Sequence, residues 1–430
     1  MTPRRAHRAT VLEHIFGNAQ ALHDAQHELT RMLTARGIYF GEGLLPTYAF
    51  AFVTSKDRVA KWAAQAELVI AAADHAAREA VVESVTCDTQ TFSSEVNDLI
   101  FAYPGYERCC VICRPDGIPV GDELRFVELN CDSPAMMMFM DVVSECLLQL
   151  EPFQAIAEQL RPASSADMLL DTLLDCYREY GGKDTPTIAI ADWEGQKTRY
   201  EHLRLAEHFE NRGFPTVVCD PRIFRRNGNE LQLVNGKRVH LIYRRALASE
   251  IIARRSEVEP MLRAYRDGTV CMVNPLRAYV ASAKSLMTHL VERELPGSLK
   301  QAAQLVPKTM LMDDPLARKA VMQNPERFVL KKSEGHGGKH VLLPGVASDT
   351  AWREALEASR HEVWIAQEYL DVPKMALPVA DGDHIAWAER FYNWNPFVFG
   401  GKFAGGLVRT SSTPLINITL GGGLLPTFGK

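Results

Sequence analysis

The sequence predicts a mixed α+β chain that contains a small α/β unit and is entered through a helical segment. Three observations carry that expectation. Residues 6–35 and 55–82 space their apolar positions at the helical period in Ala-, Leu-, Glu- and Arg-rich surroundings. Residues 185–275 alternate strand-like and helix-like runs, the pattern of parallel strands joined by helices. Residues 327–430 are β-rich, with glycine turns between the apolar runs.

Taken in order, the two opening helices flank "GEGLLPTYAF", which reads as a loop. "CCVICRPDGIPVGDELRFVELN" places two apolar runs around a Gly/Pro/Asp turn and predicts a β-hairpin. "SPAMMMFMDVVSECLLQL" predicts a helix with Ser133 as N-cap and Pro134 at the first helical position. Its methionines read as core filler. "TPTIAIADW" is a buried strand, "TRYEHLRLAEHFENRG" a helix closed by Gly213, and "PTVVCD" a second strand. "ELQLVNGKRVHLIYRR" reads as a hairpin turning at Asn235–Gly236. "ASEIIARRSEVEPMLRAYRDG" reads as one helix, and "VCMVNP" as a further strand. Residues 276–310 are expected to be mostly helical. A helix at 350–360 and the strand "EVWIAQEYL" follow the hairpin around residue 335. Soft boundaries near 175 and 300 divide the chain into 1–99, 100–175, 176–300 and 301–430.

Composition narrows the function classes. The chain has 430 residues, 47% apolar and 23% charged, as expected of a globular protein with two or three packed units. A net charge of −5 gives no general basis for nucleic-acid binding. No apolar run approaches the ~20 residues of a membrane span. "MTPRRAHRATVLEHIFGNAQ" has no apolar signal region, so a cytoplasmic location is expected. The nine cysteines are scattered and odd in number, which favours reduced thiols. Cys110 and Cys113 have the spacing of a zinc pair, but no matching second pair exists. Buried strand cysteines are the preferred reading.

Four constellations hold chemistry. "RFVLKKSEGHGGKHVLLPG" gathers Lys331, Lys332 and Lys339 around Gly335, Gly337 and Gly338, which let backbone N–H groups approach an anion. It is not a Walker A loop, because His340 follows Lys339 and strand joins strand. Arg114 with Asp116, and Glu128 with Asn130, each lie two apart on hairpin strands, so each pair shares a face. Two carboxylates and an amide are hard oxygen donors suited to Mg²⁺ beside nucleotide phosphates. In "WIAQEYL" Gln367 and Glu368 interrupt an apolar strand, where backbone could read a base edge and Glu368 could accept from ribose. Lys402, Arg409 and Asn417 sit in a Gly-rich β setting able to hold phosphate. Arg244 and Arg245, at a strand end, are weighed equally as substrate contacts and as a solvated strand end. Each constellation also has an ordinary structural reading as a loop tip, a polar edge or a turn.

Their combination resembles the ATP-grasp fold. Here the acidic hairpin precedes the nucleotide strand by about 200 residues. That order resembles the circularly permuted ATP-grasp family, which includes the synthetase domain of glutathionylspermidine synthase. "RPD…ELNCDSP" is similar to that family's Arg-x-Asp, Glu-x-Asn, Ser/Thr-Pro sequence. The resemblance covers roughly residues 100–430. It implies the permuted fold, with 176–300 as a preATP-grasp-like α/β domain and 1–99 as an N-terminal helical segment. It implies Mg²⁺ on Asp116, Glu128 and Asn130, and Arg114 facing the transferred phosphate. It implies ATP on Lys284 and Lys331, adenine and ribose along Gln367, Glu368, Tyr369 and Leu370, and Arg409 and Asn417 at the phosphate end. Lys332 departs from the pattern, standing where proline often follows the ATP lysine. No amidase domain with a catalytic cysteine is read in these 430 residues, so the resemblance does not imply the bifunctional glutathionylspermidine enzyme.

The expected activity is that of an ATP-dependent carboxylate–amine ligase working through an acyl phosphate, with Arg114, Lys331 and Arg409 catalytic. The glycine-rich hairpin would close over the phosphates. Partners would be small-molecule or peptide acids and amines, without nucleic acid or membrane; a homo-oligomer is left open. The rivals are a phosphotransferase of the same fold and a non-catalytic nucleotide-binding or assembly protein.

Overall fold

The computed structural model describes residues 19–83, 94–154, 164–334, 340–381, 384–416, 418 and 422–430. Three larger sheets organise it. The biggest has seven strands, ordered Phe52–Thr54, Gly423–Gly429, Lys402–Ser411, His384–Phe399, Ile112–Val120 and Glu123–Asn130, with Lys374–Asp381 added beside His384–Phe399. Only the Phe52–Thr54 and Gly423–Gly429 pair is parallel. The second is all parallel, ordered Cys271–Val273, Leu241–Arg244, Ile188–Ala191 and Thr216–Cys219. The third is antiparallel, ordered Thr309–Leu311, Trp364–Glu368, Phe328–Lys332 and Val341–Leu342.

The long helix Lys56–Val82 begins where the sequence predicts, because the Ser55 hydroxyl accepts from the Arg58 N–H at 3.2 Å. Its Trp62 packs 5.2 Å from the ring of Trp394, so the helix belongs to the core of the largest sheet. The preceding helix is described over Ala19–Ala35; residues 6–18 of the expected 6–35 lie outside the described residues. Within the segment read as a loop, Gly43–Leu44 is a short strand paired with Tyr39–Phe40 just before it, and the edge strand Phe52–Thr54 follows.

One apolar core runs from Leu22 to Phe428 beneath the large and parallel sheets. The antiparallel sheet has a second, separate core of Met312, Val321, Leu330, Ala355, Trp364 and Ala366 under Pro315–Gln323 and Asp349–Ala358. Between the two bodies lies the cavity described below.

Several elements depart from the sequence reading. The methionine helix starts at Met137, with Met136 in the left-handed region at φ 89°. Ser133 does not cap it; its hydroxyl donates to the Arg245 carbonyl. The cap comes from outside, since the buried Glu201 carboxylate accepts from the Met136 and Met138 N–H groups at 3.0 and 3.1 Å. The run 230–245 splits: Glu230–Gln232 pairs with Arg238–Val239 across the Asn235–Gly236 turn, and Leu241–Arg244 crosses into the parallel sheet. The helix expected over 248–268 breaks into Ala248–Ala253 and Glu259–Arg266, with Pro260 opening the second. Among the described residues, no helix is long and apolar enough to cross a membrane.

Candidate active site

The hairpin Ile112–Val120 and Glu123–Asn130 sets the first wall of the site. Its register puts Arg114 opposite Asn130 and Asp116 opposite Glu128, then slips so that Gly117 faces Phe126. Val127 is therefore the extra residue of a β-bulge. A bulge releases backbone groups from the ladder, and the Val127 carbonyl accepts from Lys331 Nζ at 2.8 Å. Gly117 is required at this point because a Cβ there would stand 2.8 Å from the Trp394 carbonyl oxygen.

On the hairpin's open face, Asn130 Nδ2 lies 3.2 Å from Asp116 Oδ1, and the other Asp116 oxygen accepts from Arg409. Arg114 Nε is 3.9 Å from Asp116 and its Nη1 donates to the Ala135 carbonyl at 2.8 Å. Burial brings the Arg114 guanidinium down to about 10, against the pull of Asp116, so it remains cationic at neutral pH. Glu128 faces Lys284 Nζ at 3.1 Å. Burial resists the Glu128 charge, but Lys284 and then Lys331 outweigh it and hold the carboxyl down at about 2.

The opposite wall is the antiparallel sheet. Lys331 is paired with Ile365, which makes Gln367 its diagonal neighbour across the strands. Lys331 Nζ donates to Gln367 Oε1 at 2.7 Å, and Gln367 Nε2 donates to Thr309 Oγ1 at 3.0 Å. That chain of bonds explains why an amide sits in the middle of an apolar strand, 1% exposed. Burial lowers the Lys331 ammonium to about 8, with Glu128 opposing. Glu368, Tyr369 and Leu370 continue along the same wall, with Val329, Val341 and Leu343 as apolar surface beside them.

These two walls enclose a cavity of about 310 Å³. Arg114, Asp116, Glu128, Asn130, Lys331, Gln367, Glu368, Tyr369, Leu370 and Arg409 all line it, and Lys284 meets it through Glu128. Gly335, Gly337, Gly338, Lys339 and Asn417 lie outside the described residues. Lys402 begins the strand Lys402–Ser411 and is not part of the lining.

Arg244 is not a substrate contact. It is fully buried, bonding Asp132 Oδ1 and the carbonyls of Ala246, Asn274 and Pro275. Arg245 is also buried, against His202 Nε2 and the Tyr243 hydroxyl. Both hold the parallel sheet against the segment that follows the hairpin.

Sequence reasoning missed Asn393 and Asn395. Arg409 lies 3.4 Å from Asn393 Oδ1 and 3.1 Å from Asn395 Oδ1, so the two amides aim it at Asp116. Their signal was present: in "FYNWNPF" they sit two apart on an apolar strand, on one face. Phe40, Thr198, Met136 and Pro414–Ile416 also line the cavity and were not singled out.

The donor set fits Mg²⁺. Asp116 and Glu128 offer hard carboxylate oxygens on one face, and Asn130 adds an amide oxygen. Each carboxylate already faces a cationic side chain, so this corner is built to balance several charges.

Residues 132–411 match the profile of a family described as circularly permuted ATP-grasp type 2. The match begins two residues beyond Asn130, so the placing of the acidic hairpin rests on the structure alone. No curated protein matches the chain. Among solved structures, a glutathione synthetase-like effector from Globodera pallida, in apo form, superposes with a TM-score of 0.64 at 11% identity, over 96% of this chain and 97% of that one. A putative gamma-glutamylcysteine synthetase from Methylobacillus flagellatus KT gives a TM-score of 0.43 at 12% identity, over 74% and 80%. The ATP-grasp ligase PsnB with a minimal precursor gives 0.33 at 14%, over 57% and 90%. Only the first of these bears on the fold. With residues 132–411, about two thirds of its length, on the family profile, the chain belongs to the circularly permuted ATP-grasp family.

Proposed function

We propose that this protein is an ATP-dependent ligase that joins a carboxylate to an amine through an acyl phosphate. The observation carrying this reading is the cavity between the two sheets, where Arg114, Lys331 and Arg409 face Asp116 and Glu128. A carboxylate and a triphosphate repel each other, so the reaction needs concentrated positive charge fixed in advance.

In this mechanism the adenine lies against Val329, Val341 and Leu343, with the strand ending at Glu368 beside the ribose. Lys331 and Lys284 hold the phosphates. Asp116, Glu128 and Asn130 would hold Mg²⁺, which offsets the charge of the transferred phosphoryl group when bound. Arg114 and Arg409 orient that group toward the acceptor side, where Phe40, Thr198 and Pro414–Ile416 form the wall. The acid's carboxylate oxygen attacks the γ-phosphorus and ADP leaves. A neutral amine then attacks the acyl carbon, phosphate departs, and the nitrogen loses its proton to solvent. The α/β unit at 176–300 serves as the preATP-grasp-like domain of this arrangement.

The test is a screen of acid and amine pairs for ADP release, with mass spectrometry of the products. An amide with equimolar ADP and phosphate supports the ligase. A stable phosphorylated product would instead identify a phosphotransferase, and no ADP release across a broad screen with ATP bound would favour a nucleotide-binding protein.

A further inference from the structure

We propose that Cys110, Cys113 and Cys131 form a site for one soft, thiophilic cation, Cu(I) in three-sulfur coordination being the ion that the geometry fits best. Their sulfurs all lie within 4.8 Å of one another. Three sulfurs set about 2.3 Å from an ion in one plane stand about 4 Å apart, so a small contraction closes the triangle. All three residues are buried.

The hairpin register brings the sulfurs together. Arg114 faces Asn130, and the same register carried one step further puts Cys113 across from Cys131. Cys110 approaches from the segment leading into the strand. Side-chain hydrogen bonds hold the backbone around the cluster, from the buried Asn274 and the half-buried Asp74 and Ser282. Asp74 Oδ1 accepts from the Cys109 and Cys110 N–H groups, each at 2.8 Å. The Cys131 N–H donates to Ser282 Oγ at 3.2 Å. Asn274 Nδ2 donates to the carbonyls of Cys131 at 2.8 Å and Ile112 at 2.9 Å, tying the two strands to one amide. A triangle held this way is organised before any ion arrives.

The donor set selects among ions. Thiols favour Cu(I) and Zn²⁺ and do not compete for Mg²⁺, so this site is chemically separate from the acidic hairpin face. Closed zinc sites take four ligands. Among the described residues, the group contains no fourth His, Cys, Asp or Glu. Cu(I) accepts three sulfurs and needs no fourth. A disulfide would use two of the thiols and leave the third unexplained. Cys113 precedes Arg114 and Cys131 follows Asn130, so a bound ion would clamp the strands that carry Asp116 and Glu128.

The test uses the reduced, metal-free full chain, titrated anaerobically with Cu(I) held by a competing chelator. The expected result is one Cu(I) per chain, an ultraviolet thiolate-to-metal band, and three sulfurs around copper by X-ray absorption. Cys131→Ser and Cys110→Ala should each weaken Cu(I) binding at least 100-fold, and Cys219→Ser, remote from the cluster, should not. Far-ultraviolet circular dichroism checks that the variants fold. If neither cluster variant folds, the sulfur count in the wild type decides alone. Equal Cu(I) retention by the wild type and a folded cluster variant, a count of two sulfurs, or tighter binding of Zn²⁺ in four-coordinate form would overturn the assignment.

Discussion

Replacing Glu128 by Gln keeps its shape and imitates the protonated acid, so the variant isolates the charge. The shift from 4.5 to about 2 corresponds to roughly 3 kcal/mol of stabilisation of the ionised form. Lys284 is the main favourable partner and Lys331 the next. Because Lys284 is only 3% exposed, Glu128→Gln removes the carboxylate that faces a buried ammonium. The variant should lose about 3 kcal/mol at pH 7 in urea unfolding followed by circular dichroism. The pH dependence has a definite sign. A depressed carboxylate contributes fully above its unfolded value of 4.5 and progressively less as pH falls toward about 2. The deficit should therefore shrink to about 2 kcal/mol at pH 3.5. Lys284→Met alone should also be costly, but the double variant should cost less than the two singles together, because no charge is left unpaired. A coupling of about 2 kcal/mol is expected; additivity within about 0.5 kcal/mol would refute the reasoning.

Three further predictions follow from the site and its supports. Burial places the Lys331 ammonium at about 8 despite Glu128, so its charge opposes stability below that value, and the penalty fades between about 8 and 10.5. ATP binding that needs the charged form should weaken about tenfold from pH 7 to pH 9 by calorimetry; Lys331→Arg should flatten that dependence and Lys331→Met should bind weakly throughout, whereas a wild type insensitive to pH would remove Lys331 from the phosphate site. Glu201→Ala uncaps the methionine helix and leaves the Met136 and Met138 N–H groups unpaired, a loss of about 2 kcal/mol by chemical unfolding; an unchanged midpoint would mean another group supplies the cap. Gly117→Ala drives a methyl against the Trp394 carbonyl and should cost about 2 kcal/mol while lowering Mg·ATP affinity, because the bulge that frees the Val127 carbonyl is displaced; a variant with normal stability would show that the strand yields there freely.

Much of the site is legible in the sequence because its residues obey local rules. Asp116, Glu128 and Asn130 share a face by strand alternation, and Lys331 ends a readable apolar strand. What is illegible depends on contacts between distant segments. The bulge at Val127 shows only in the pairing, and nothing in "RFVELN" announces it. Ser133–Pro134 has the look of a helix start, yet a carboxylate 65 positions from Met136 supplies the cap. Arg244 resembles a strand-end ligand, but Asp132, 112 positions away, claims it for the interior. Cys110 and Cys113 were visible as a pair, while their third member appears only when the hairpin closes.

The largest sheet has a consequence for how the protein is made. Its strand Gly423–Gly429 is an interior one, lying between Lys402–Ser411 and the early strand Phe52–Thr54. Asp116 and Arg409 are 293 positions apart, and Lys331 and Val127 are 204 apart. On the ribosome the acidic hairpin, with its own Arg114, is therefore complete long before Lys284, Lys331 and Arg409 exist. Until Gly423–Gly429 has been synthesised, Phe52–Thr54 and Lys402–Ser411 are both bare strand edges, the kind of surface that invites wrong pairing. Such distant pairings also close slowly. Synthesis thus passes through a long interval in which the chain carries half of its charge pattern and an early strand whose partner is made last, and in which association with a chaperone would be most consequential.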